Sequence, residues 1–592
     1  MSNTEYETIN SEQLIDINTN FKITAGPGAG KTYWLVKHIK HVLEESKILK
    51  SASKIACITY TTVAAEEINE RLKANSDRVE ISTIHSFLYN NVVKPYIYLL
   101  KDENGQCVVN YQKMNGHTNN VASPGKINEW IRENKLYKHV NEKRIKHIFL
   151  DLDWFLDDSL VLKAKKEYNR GYMEDKLLSY KKLYWVEGII HHEDVLYFSY
   201  RILKENAILR EFLSIKFPYI FLDEFQDTNP IQTEIVKWFA QGKSIIGVIG
   251  DPAQSIYKFN GASRKEFLNF NLRSQTNYLI ENNRRSTDNI LNVLNYIRKG
   301  DKIIQKGVRK CQGIKVSYVK SSDPAHIIKR FNECRILLGL KNEYCIVARS
   351  NDGVIKLKNN DNDCDCKVWD KVYKAHFYRA SFLEHLLLAQ EYANDHRYEV
   401  AMKEILKIFK GVKNAELKEP FKSCKELNDI EKRSCAVSIL EYLVNNRLCN
   451  IEKKLINFYN ELNSDILEKL NLKISQIGKK GKIKECYESV AFKELVNNLK
   501  LNEEKSTNIR TIHKTKGAEF ESVLVYMEDD KELENIINPN IEYEEDDCRI
   551  YYVAFSRAKD FLCIAIPEEM DVEKFNDLGI VSIDDIICNV DK

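Results

Sequence analysis

A glycine-rich segment near the amino terminus has the residue types that bind a phosphate chain. The segment FKITAGPGAGKT contains Gly26, Gly28 and Gly30 and precedes a helically patterned run, WLVKHIKHVLEE. Such glycines let a loop fold tightly enough for successive N–H groups to point at phosphate oxygens, and the helix amino terminus adds positive charge. Lys31 is placed to reach the β- and γ-phosphates, and the Thr32 hydroxyl is placed to bind Mg²⁺. We therefore predict a nucleoside triphosphate site between a strand and a helix.

Two acidic residues follow an apolar, strand-like segment in YIFLDEFQD. Asp223 is placed to hold Mg²⁺ through its water shell, and Glu224 to orient and deprotonate an attacking water. A further apolar segment, IIGVIGDPAQSIYKFNGA, contains Gln254, whose amide can sense a γ-phosphate because it loses a hydrogen bond when the phosphate leaves. The alternative for this last segment is a plain core strand. Together the three segments predict triphosphate hydrolysis.

Length and charge limit the class of protein. With 592 residues the chain is expected to form about three or four domains. Its 89 Lys and Arg residues nearly balance its 86 Asp and Glu residues, so there is no general attraction to polyanions. Any nucleic-acid surface must therefore be a local groove.

The cysteines and the amino terminus indicate a cytoplasmic protein. The 14 cysteines include no C-x-x-C pair, and Cys364 with Cys366 is the nearest approach to a metal cluster, so we expect reduced thiols. The terminus MSNTEYETIN lacks the features of a signal peptide. No apolar run approaches the roughly 20 residues that span a bilayer, and no membrane partner is expected.

Eight short segments follow one another between residues 13 and 560. They are AGPGAGKT, ITYTTVAAEEINERL, STIHSF, DEFQDTN, VIGDPAQSIYKFNGA, ENNRRSTDNIL, TIHKTKGAEF and YYVAFSRAKD. In this order they resemble the motif series of superfamily 1A DNA helicases of the UvrD, Rep and PcrA type. Those helicases also share Ala25, where the strict phosphate-loop pattern has glycine. The resemblance implies an ATP-dependent DNA helicase that uses Mg²⁺ and moves 3′ to 5′ along single-stranded DNA.

The resemblance also implies roles for residues around the nucleotide. Gln13 matches a glutamine that reads the adenine edge, and Glu519 matches an acid that holds the ribose hydroxyls. Arg284 replaces the aromatic residue on which adenine usually stacks; a guanidinium can also stack, and base selectivity is left open. Arg285 and Arg557 match arginines that neutralise charge developing on the γ-phosphate. The implied catalytic residues are Lys31, Asp223, Glu224, Gln254, Arg285 and Arg557, and the implied metal ligands are Thr32 and Asp223. The implied nucleotide-binding residues are Gln13, Ala25, Gly26, Gly28, Ala29, Gly30, Lys31, Thr32, Tyr33, Arg284 and Glu519.

The DNA-binding side follows from the same resemblance. Single strands are held by phosphate contacts and by aromatic rings on which bases stack, so no sequence specificity is expected. Phe259 stands where the family usually has tryptophan. For His85 the alternative is an ordinary core histidine, and RNA is a less favoured alternative track. The implied DNA-binding residues are Tyr60, Thr61, His85, Tyr257, Phe259, Arg349, Thr511 and His513.

The gaps between the motifs predict an α/β architecture with two RecA-like P-loop NTPase cores, each a parallel sheet flanked by helices. The first core is expected at 1–88 and 188–277, with a mainly helical insertion at 89–187. The second core is expected at 278–354 and 506–592, with a mainly helical insertion at 355–505. DFLCIAIPEE is predicted as the last strand, followed by a short acidic tail. The lysine-rich stretch 473–484 could grip duplex phosphates or form a solvated loop.

A second function remains open at this stage. The two predicted insertions show no obvious nuclease triad of the D-x(n)-E-x-K type, so any DNA cleavage is expected to come from a partner. Compact UvrD-like proteins paired with nucleases in bacterial defence systems such as Gabija resemble this chain in size. The alternative is therefore an ATP-gated DNA sensor or regulatory subunit that activates a partner nuclease with little strand separation. Single-stranded DNA and single-strand/duplex junctions are the expected substrates of the favoured motor.

Overall fold

The chain divides into two compact units in the computed structural model. The first unit comprises Met1–Gly313 and Asn538–Ser556, and the second comprises Ile314–Ile537 and Arg557–Lys592. The structure describes residues 6–60, 62–72, 77–119, 122–136, 142–166, 175–301, 303–340, 342–359, 368–394, 397–409, 421–423, 427–446, 453–499, 508–541 and 547–590.

A parallel sheet forms the centre of the first unit. The strands of this unit are β1 (Glu7–Ile9), β2 (Asn20–Ala25), β3 (Ile55–Thr59), β4 (Val79–Thr83), β5 (Leu152–Leu156), β6 (Leu160–Ala164), β7 (Tyr219–Leu222), β8 (Ile245–Gly250), β9 (Gln275–Ile280), β10 (Asn282–Asn283) and β11 (Lys306–Gly307). Among the described residues, seven of them form a sheet in the order β1-β9-β2-β8-β7-β3-β4, with every pairing parallel. Runs such as IACIT and YIFL are buried throughout, as expected for strands covered on both faces.

Helices pack on this sheet and build the first insertion. They are α1 (Lys31–Glu45), α2 (Thr62–Leu72), α3 (Ile84–Leu88), α4 (Lys94–Tyr96), α5 (Pro124–Glu133), α6 (Glu142–Leu150), α7 (Leu177–Trp185), α8 (Asp194–Glu205), α9 (Ala207–Lys216), α10 (Pro230–Gln241), α11 (Arg264–Asn269) and α12 (Asp288–Ile297). The predicted α/β class with parallel sheets flanked by helices is thus confirmed.

The division seen in the structure differs from the boundary predicted near residue 278. Strand β9 continues to Ile280 and pairs with both β1 and β2, so its backbone hydrogen bonds hold it in the first sheet. The first unit extends to Gly313 and also takes in Asn538–Ser556, which was assigned to the second core.

A hairpin in the first insertion also differs from the prediction. Residues 160–164 lie in the insertion predicted to be mainly helical, but they form β6 and pair antiparallel with β5. The pairing sets Trp154 opposite Leu162, and both side chains are buried. The polar DDS turn at 157–159 and the alternating apolar residues of β6 are hairpin signals that the helical interpretation overlooked.

Helix α1 places a histidine, His38, inside the apolar core of the first unit. Its ring is fully buried, stacks on Trp34 with centroids 4.8 Å apart and touches Phe21 and Phe221. Burial lowers the pKa of His38 from 6.5 to about 3, with a smaller contribution from His41. The pKa of His38 is depressed only in the folded state, so the unfolded state takes up the proton first as the pH falls below 6.5. The free energy of unfolding therefore decreases as the pH falls from 6.5 toward 3.

We therefore predict that His38→Phe makes the protein less sensitive to acid. Between pH 7 and pH 5 the variant should lose about 2 kcal/mol less free energy of unfolding than the wild type. Urea unfolding at both pH values measures this difference. Equal losses in the two proteins would show that the pKa of His38 is the same in the folded and unfolded states.

The second unit has a parallel sheet of its own. Its strands are β12 (Ser317–Lys320), β13 (Tyr344–Ala348), β14 (Phe421–Ser423), β15 (Lys473–Ile474), β16 (Ile509–Thr511), β17 (Phe520–Tyr526), β18 (Ala558–Ile566) and β19 (Val581–Ser582). Six of these described strands form a sheet in the order β16-β13-β17-β18-β12-β19, again entirely parallel.

The remaining helices complete both units. They are α13 (Pro324–Leu337), α14 (Asn351–Asn359), α15 (Val368–Ala375), α16 (Phe377–Asn394), α17 (Tyr398–Ile408), α18 (Asp429–Asn445), α19 (Leu455–Leu462), α20 (Lys482–Ser489), α21 (Phe492–Asn497), α22 (Asp530–Ile537), α23 (Asp547–Phe555), α24 (Glu573–Asp577) and α25 (Ile583–Val590). Helix α23 belongs to the first unit. Helices α15 to α21 surround an apolar core that is separate from the core of the second sheet.

Two further expectations for the second unit need correction. The chain does not end in a simple acidic tail after β18, because β19 adds to the sheet beside β12 and α25 follows it. The lysine-rich stretch is not a plain loop either, since it contains β15 and the start of α20. Lys484 on α20 pairs with Glu488 at 3.4 Å. Among the helices of the described ranges, none combines the length and the apolar character of a membrane span.

Candidate nucleotide site and DNA-binding face

The glycine-rich loop joins β2 to α1 in the first unit, as predicted. Gly28 and Gly30 have φ angles of 69° and 83°. Residues other than glycine rarely adopt such positive φ angles. A Cβ at Gly28 would also lie 2.7 Å from the Cβ of Arg285. Both the backbone conformation and this close approach therefore require glycine at position 28. The Lys31 ammonium lies 3.4 Å from the carbonyl oxygen of Ala25, across the loop.

The predicted acids lie at the same edge of the sheet as this loop. Strands β2, β8 and β7 are neighbours and parallel, so the residues that follow them meet at one edge. Burial and the neighbouring Glu224 raise the pKa of Asp223, while the Lys31 ammonium opposes this rise. A buried carboxyl that is hard to ionise fits a cation site, and Thr32 adds a hydroxyl at the start of α1.

Glu224 is held in an unusual backbone conformation. Its φ of 53° is left-handed, which is costly for a residue other than glycine and is found most often at functional sites. The Glu224 N–H donates to the Asp223 carboxylate at 2.9 Å, and the Gln226 amide donates to the Glu224 carboxylate. The side-chain oxygen Oε1 of Gln226 accepts from the Asp251 N–H at 3.0 Å. Gln226, which the sequence analysis did not single out, therefore links the predicted base to the next strand.

Gln254 is tied to the same edge. Its side-chain N–H donates to Asp251 Oδ2 at 2.8 Å, and both residues are buried. The alternative of a plain core strand fits β8 itself, and the polar contacts belong to the residues that follow the strand. The segment is a buried strand, β8, that ends in a polar turn.

The residues predicted to hold adenine gather around one turn. The Tyr33 hydroxyl donates to the Glu12 carboxylate at 3.0 Å, and Arg284 Nε donates to Ser11 Oγ at 3.1 Å. Gln13 is exposed in that same turn. Tyr33 is 46% exposed, so the turn presents planar side chains to solvent beside the start of α1.

Asn283 connects the predicted arginine to the phosphate-binding loop. Its side-chain N–H donates to the Pro27 carbonyl at 2.8 Å, and its oxygen accepts from the Arg285 N–H at 2.8 Å. The Arg284 N–H donates to the Gly28 carbonyl at 2.9 Å. The Arg285 guanidinium donates to the backbone carbonyl at position 556, within the same unit. The structure brings Arg285 beside the loop; sequence reasoning missed Asn283, although it stands in the ENNRRST motif.

Aromatic rings gather at another part of this edge. Tyr60 follows β3 and stacks on Tyr257 with ring centroids 4.8 Å apart and an interplanar angle of 20°. The Tyr257 and Phe259 rings are 5.9 Å apart, and Phe259 is 59% exposed. The three predicted stacking residues thus form one ring cluster. Thr61, also predicted to bind DNA, lies outside the described residues.

His85 has a partner that the sequence did not predict. Its ring stacks on that of His192 with centroids 3.9 Å apart, and the His117 ring lies 5.1 Å from that of His192. Burial, followed by the charges of these two histidines, lowers the pKa of His85 well below its ordinary value. Burial beside these rings thus favours the neutral imidazole, which contacts a phosphate by hydrogen bonding.

The remaining predicted residues lie in the second unit. Ala348 at the end of β13 pairs with Thr511 at the end of β16, so Arg349, Thr511 and His513 share one edge of that sheet. Glu519 forms an ion pair with Lys559 at 2.7 Å.

Arg557 is positioned within the second unit by backbone contacts. Its guanidinium donates to the Ala518 carbonyl at 3.1 Å, and its own carbonyl accepts from the Phe520 N–H at 2.9 Å. Residues 518–520 and Arg557 therefore form one local arrangement, which brings two motifs of the predicted series together.

Another group of potential metal ligands is explained by a lysine. His191, Glu193 and Asp194 lie close enough together to hold a metal ion. The buried Lys181 ammonium lies 3.1 Å from His191 Nδ1 and 3.3 Å from Asp194, and it also pairs with Glu193. The lysine thus supplies the positive charge at this cluster. The Cys364 and Cys366 pair lies outside the described residues.

Comparison with known protein families agrees with this arrangement. Residues 7–275 match the UvrD/REP helicase N-terminal domain, and residues 493–569 match the UvrD-like helicase C-terminal domain. Together these matches cover more than half of the chain.

Individual relatives include a DNA helicase and two Gabija proteins. Gabija protein GajB of Bacillus cereus strain HuB5-5 is 28% identical over 374 residues, or 54% of this chain and 53% of the relative. Gabija protein GajB of Bacillus cereus strain VD045 is 24% identical over 574 residues, or 96% of each chain. The ATP-dependent DNA helicase PcrA of Staphylococcus aureus is 26% identical over 302 residues, or 50% of this chain and 40% of PcrA. With its phosphate-binding loop, paired acids and ordered motifs, the chain belongs to the UvrD/Rep-like family of ATP-dependent DNA helicases.

Proposed function

We propose that this helicase couples ATP hydrolysis to 3′–5′ movement along single-stranded DNA in the cytoplasm. The observation that carries the proposal is the loop after β8. Gln254, which hydrogen-bonds at the nucleotide edge, is three residues from Tyr257, which belongs to the ring cluster. A change at the phosphate can therefore reach a base-stacking ring through a few residues of backbone.

The proposed hydrolysis uses the residues of the phosphate-binding edge. Lys31 and the N–H groups of the glycine-rich loop bind the β- and γ-phosphates. Glu224 accepts the proton of the attacking water, and Arg285 stabilises charge that develops on the γ-phosphate. Arg557 is proposed for the same task from its match to the family motif. Mg²⁺, held by Thr32 and Asp223, would neutralise phosphate charge when bound.

The proposed nucleotide-binding contacts follow the turn at 10–13. Gln13 reads the adenine edge, while Tyr33 and Arg284 offer planar faces beside it. Glu519 is proposed to hold the ribose hydroxyls, again from its match to the family motif. ATP is therefore the expected nucleotide.

Movement requires that the hold on DNA change with the nucleotide state. The rings of Tyr60, Tyr257 and Phe259 are proposed to stack on bases, and Arg349, Thr511 and His513 to contact the sugar–phosphate backbone. Because every base has a ring face, such a track has no sequence specificity.

We predict that the stacking rings contribute measurably to DNA affinity. Tyr257→Ala and Phe259→Ala should each weaken single-stranded DNA binding by about 1–3 kcal/mol, the cost of a lost stack. Fluorescence anisotropy with a labelled oligonucleotide measures this. Phe212→Ala is the matched control, because that ring is also about half exposed but lies on α9. Unchanged affinity in both ring variants would exclude these residues from the DNA track.

The proposed substrate is tested by the effect of nucleic acids on ATP turnover. Single-stranded DNA should stimulate ATP hydrolysis more strongly than RNA of the same sequence or a blunt duplex of the same length. Equal or greater stimulation by RNA would redirect the proposal to an RNA track.

A second function is favoured by one specific comparison. The similarity to Gabija protein GajB of strain VD045 extends over 96% of both chains. The alternative is an ATP-gated DNA sensor or regulatory subunit that activates a partner, such as a nuclease in an antiviral complex. Such a switch would bind DNA in an ATP-dependent manner without moving along it.

A further inference from the structure

A buried hydroxyl group in the first unit joins two hydrogen-bonded chains. Tyr552, on α23, is completely buried, and its hydroxyl accepts from Arg298 Nη1 at 2.7 Å and from Gln305 Nε2 at 2.9 Å. Hydrogen bonds inside a protein are strong, and an unpaired buried donor is costly, so this arrangement has one preferred geometry.

One of the two chains leads to the phosphate-binding loop. Gln305 Oε1 accepts from Asn283 Nδ2 at 2.8 Å. Asn283 in turn contacts the Pro27 carbonyl of the loop and the N–H of Arg285. A chain of hydrogen bonds therefore runs from Tyr552 to both the loop and the predicted arginine.

The other chain leads to the predicted phosphate sensor. Arg298 Nη2 donates to Asp301 at 2.6 Å and to Asp251 Oδ1 at 3.3 Å. The other oxygen of Asp251 accepts from the Gln254 amide. Two acidic residues thus compensate the buried guanidinium, and one of them also holds Gln254.

The same face of α23 also contacts the loop that leads to the DNA-stacking ring. Arg549 lies one turn before Tyr552, and its Nε donates to the Ser255 carbonyl at 2.8 Å. Ser255 directly follows Gln254 and is two residues from Tyr257. Residues 549 and 552 are three apart on the helix, which places them on one face.

We propose that Tyr552 and Arg549 are positioning residues that transmit the nucleotide state from the phosphate-binding edge to the Tyr257 loop. This inference rests on the proposed ATP-driven function. Neither side chain touches ATP or DNA in this scheme. Through its hydrogen bonds, Tyr552 fixes the positions of Arg285 and Gln254 relative to the glycine-rich loop. Arg549 fixes the backbone at Ser255, which leads to Tyr257.

The test compares ATP turnover with and without saturating single-stranded DNA. In Tyr552→Phe, which removes a single oxygen atom, the ratio of stimulated to basal turnover should fall at least about fivefold. The KM for ATP and the Kd for DNA should change much less. The ratio does not depend on the fraction of active protein, so a loss of folded molecules alone cannot lower it.

Two further variants make the result interpretable. Gln305→Met removes the link between Tyr552 and Asn283 but leaves Arg298 and Asp251 intact, and it should lower the ratio in the same direction. Tyr487→Phe is the control, because it deletes another buried hydroxyl, one without a hydrogen-bond partner in the described part of the chain.

The outcomes separate this inference from the proposed function. A wild-type protein without DNA-stimulated turnover would overturn the proposed function itself. A stimulated wild type together with unchanged ratios in both Tyr552→Phe and Gln305→Met would overturn the positioning role alone. A reduced ratio in both variants, with Tyr487→Phe unaffected, would support it.

Discussion

Lys31→Ala is expected to lower DNA-stimulated ATP turnover by about a hundredfold to a thousandfold or more. The substitution removes the ammonium that is proposed to bind the β- and γ-phosphates. It also removes the charge that opposes the raised pKa of Asp223, which weakens the proposed cation site. Steady-state phosphate release with saturating ATP and DNA measures the loss.

The control for this experiment lies on the same helix. Lys40→Ala removes an ammonium from α1 away from the glycine-rich loop, so its turnover should match that of the wild type. Near-normal turnover in Lys31→Ala would show that the loop of residues 26–30 is not the phosphate site.

The second large effect is expected for Glu224→Gln. An amide of the same shape cannot take the proton of the attacking water, so kcat should fall by about 10²–10⁴-fold. The amide oxygen can still accept the Gln226 hydrogen bond, so the affinities for ATP and DNA should stay close to those of the wild type. Single-turnover hydrolysis combined with nucleotide binding separates these quantities.

Glu234→Gln provides the matched control for the acid. Glu234 is a partly exposed glutamate of α10 that pairs with Lys237 at 3.4 Å, and it lies outside the proposed site. If Glu224→Gln and Glu234→Gln both turn over ATP at the wild-type rate, Glu224 is not the base.

The phosphate-binding edge could be predicted because the residues that form it lie in short, continuous sequence segments. Gly28 is required by a positive φ and by the nearness of Arg285, and Lys31 immediately follows the loop. Asp223 and Glu224 end a buried strand, and the parallel sheet brings such strand ends together. Local sequence and sheet geometry are sufficient in these cases.

The supporting contacts could not be predicted in the same way. Asn283, Gln305 and Tyr552 are far apart in the sequence and meet only in the folded first unit. A single asparagine or glutamine is not part of a sequence pattern from which such a contact could be predicted. The sequence prediction also placed Tyr552 in the second core, because Tyr552 and Arg557 belong to the same motif.

The errors in the fold have similar causes. Strand β9 was divided by a boundary because motif order says nothing about which sheet a strand joins. The β5–β6 hairpin was missed because the lysines and tyrosines that follow it in the sequence favour a helix. Strand β19 was missed because its two residues are too short to give a pattern.

The central claim is that ATP hydrolysis moves the protein along single-stranded DNA, and directional displacement of a bound block tests it most directly. Streptavidin is attached through biotin to either end of an oligonucleotide, and its ATP-dependent release is measured. We expect rapid release from the 5′ end, little from the 3′ end, and none in Glu224→Gln. ATP-dependent DNA binding with no release from either end would contradict it.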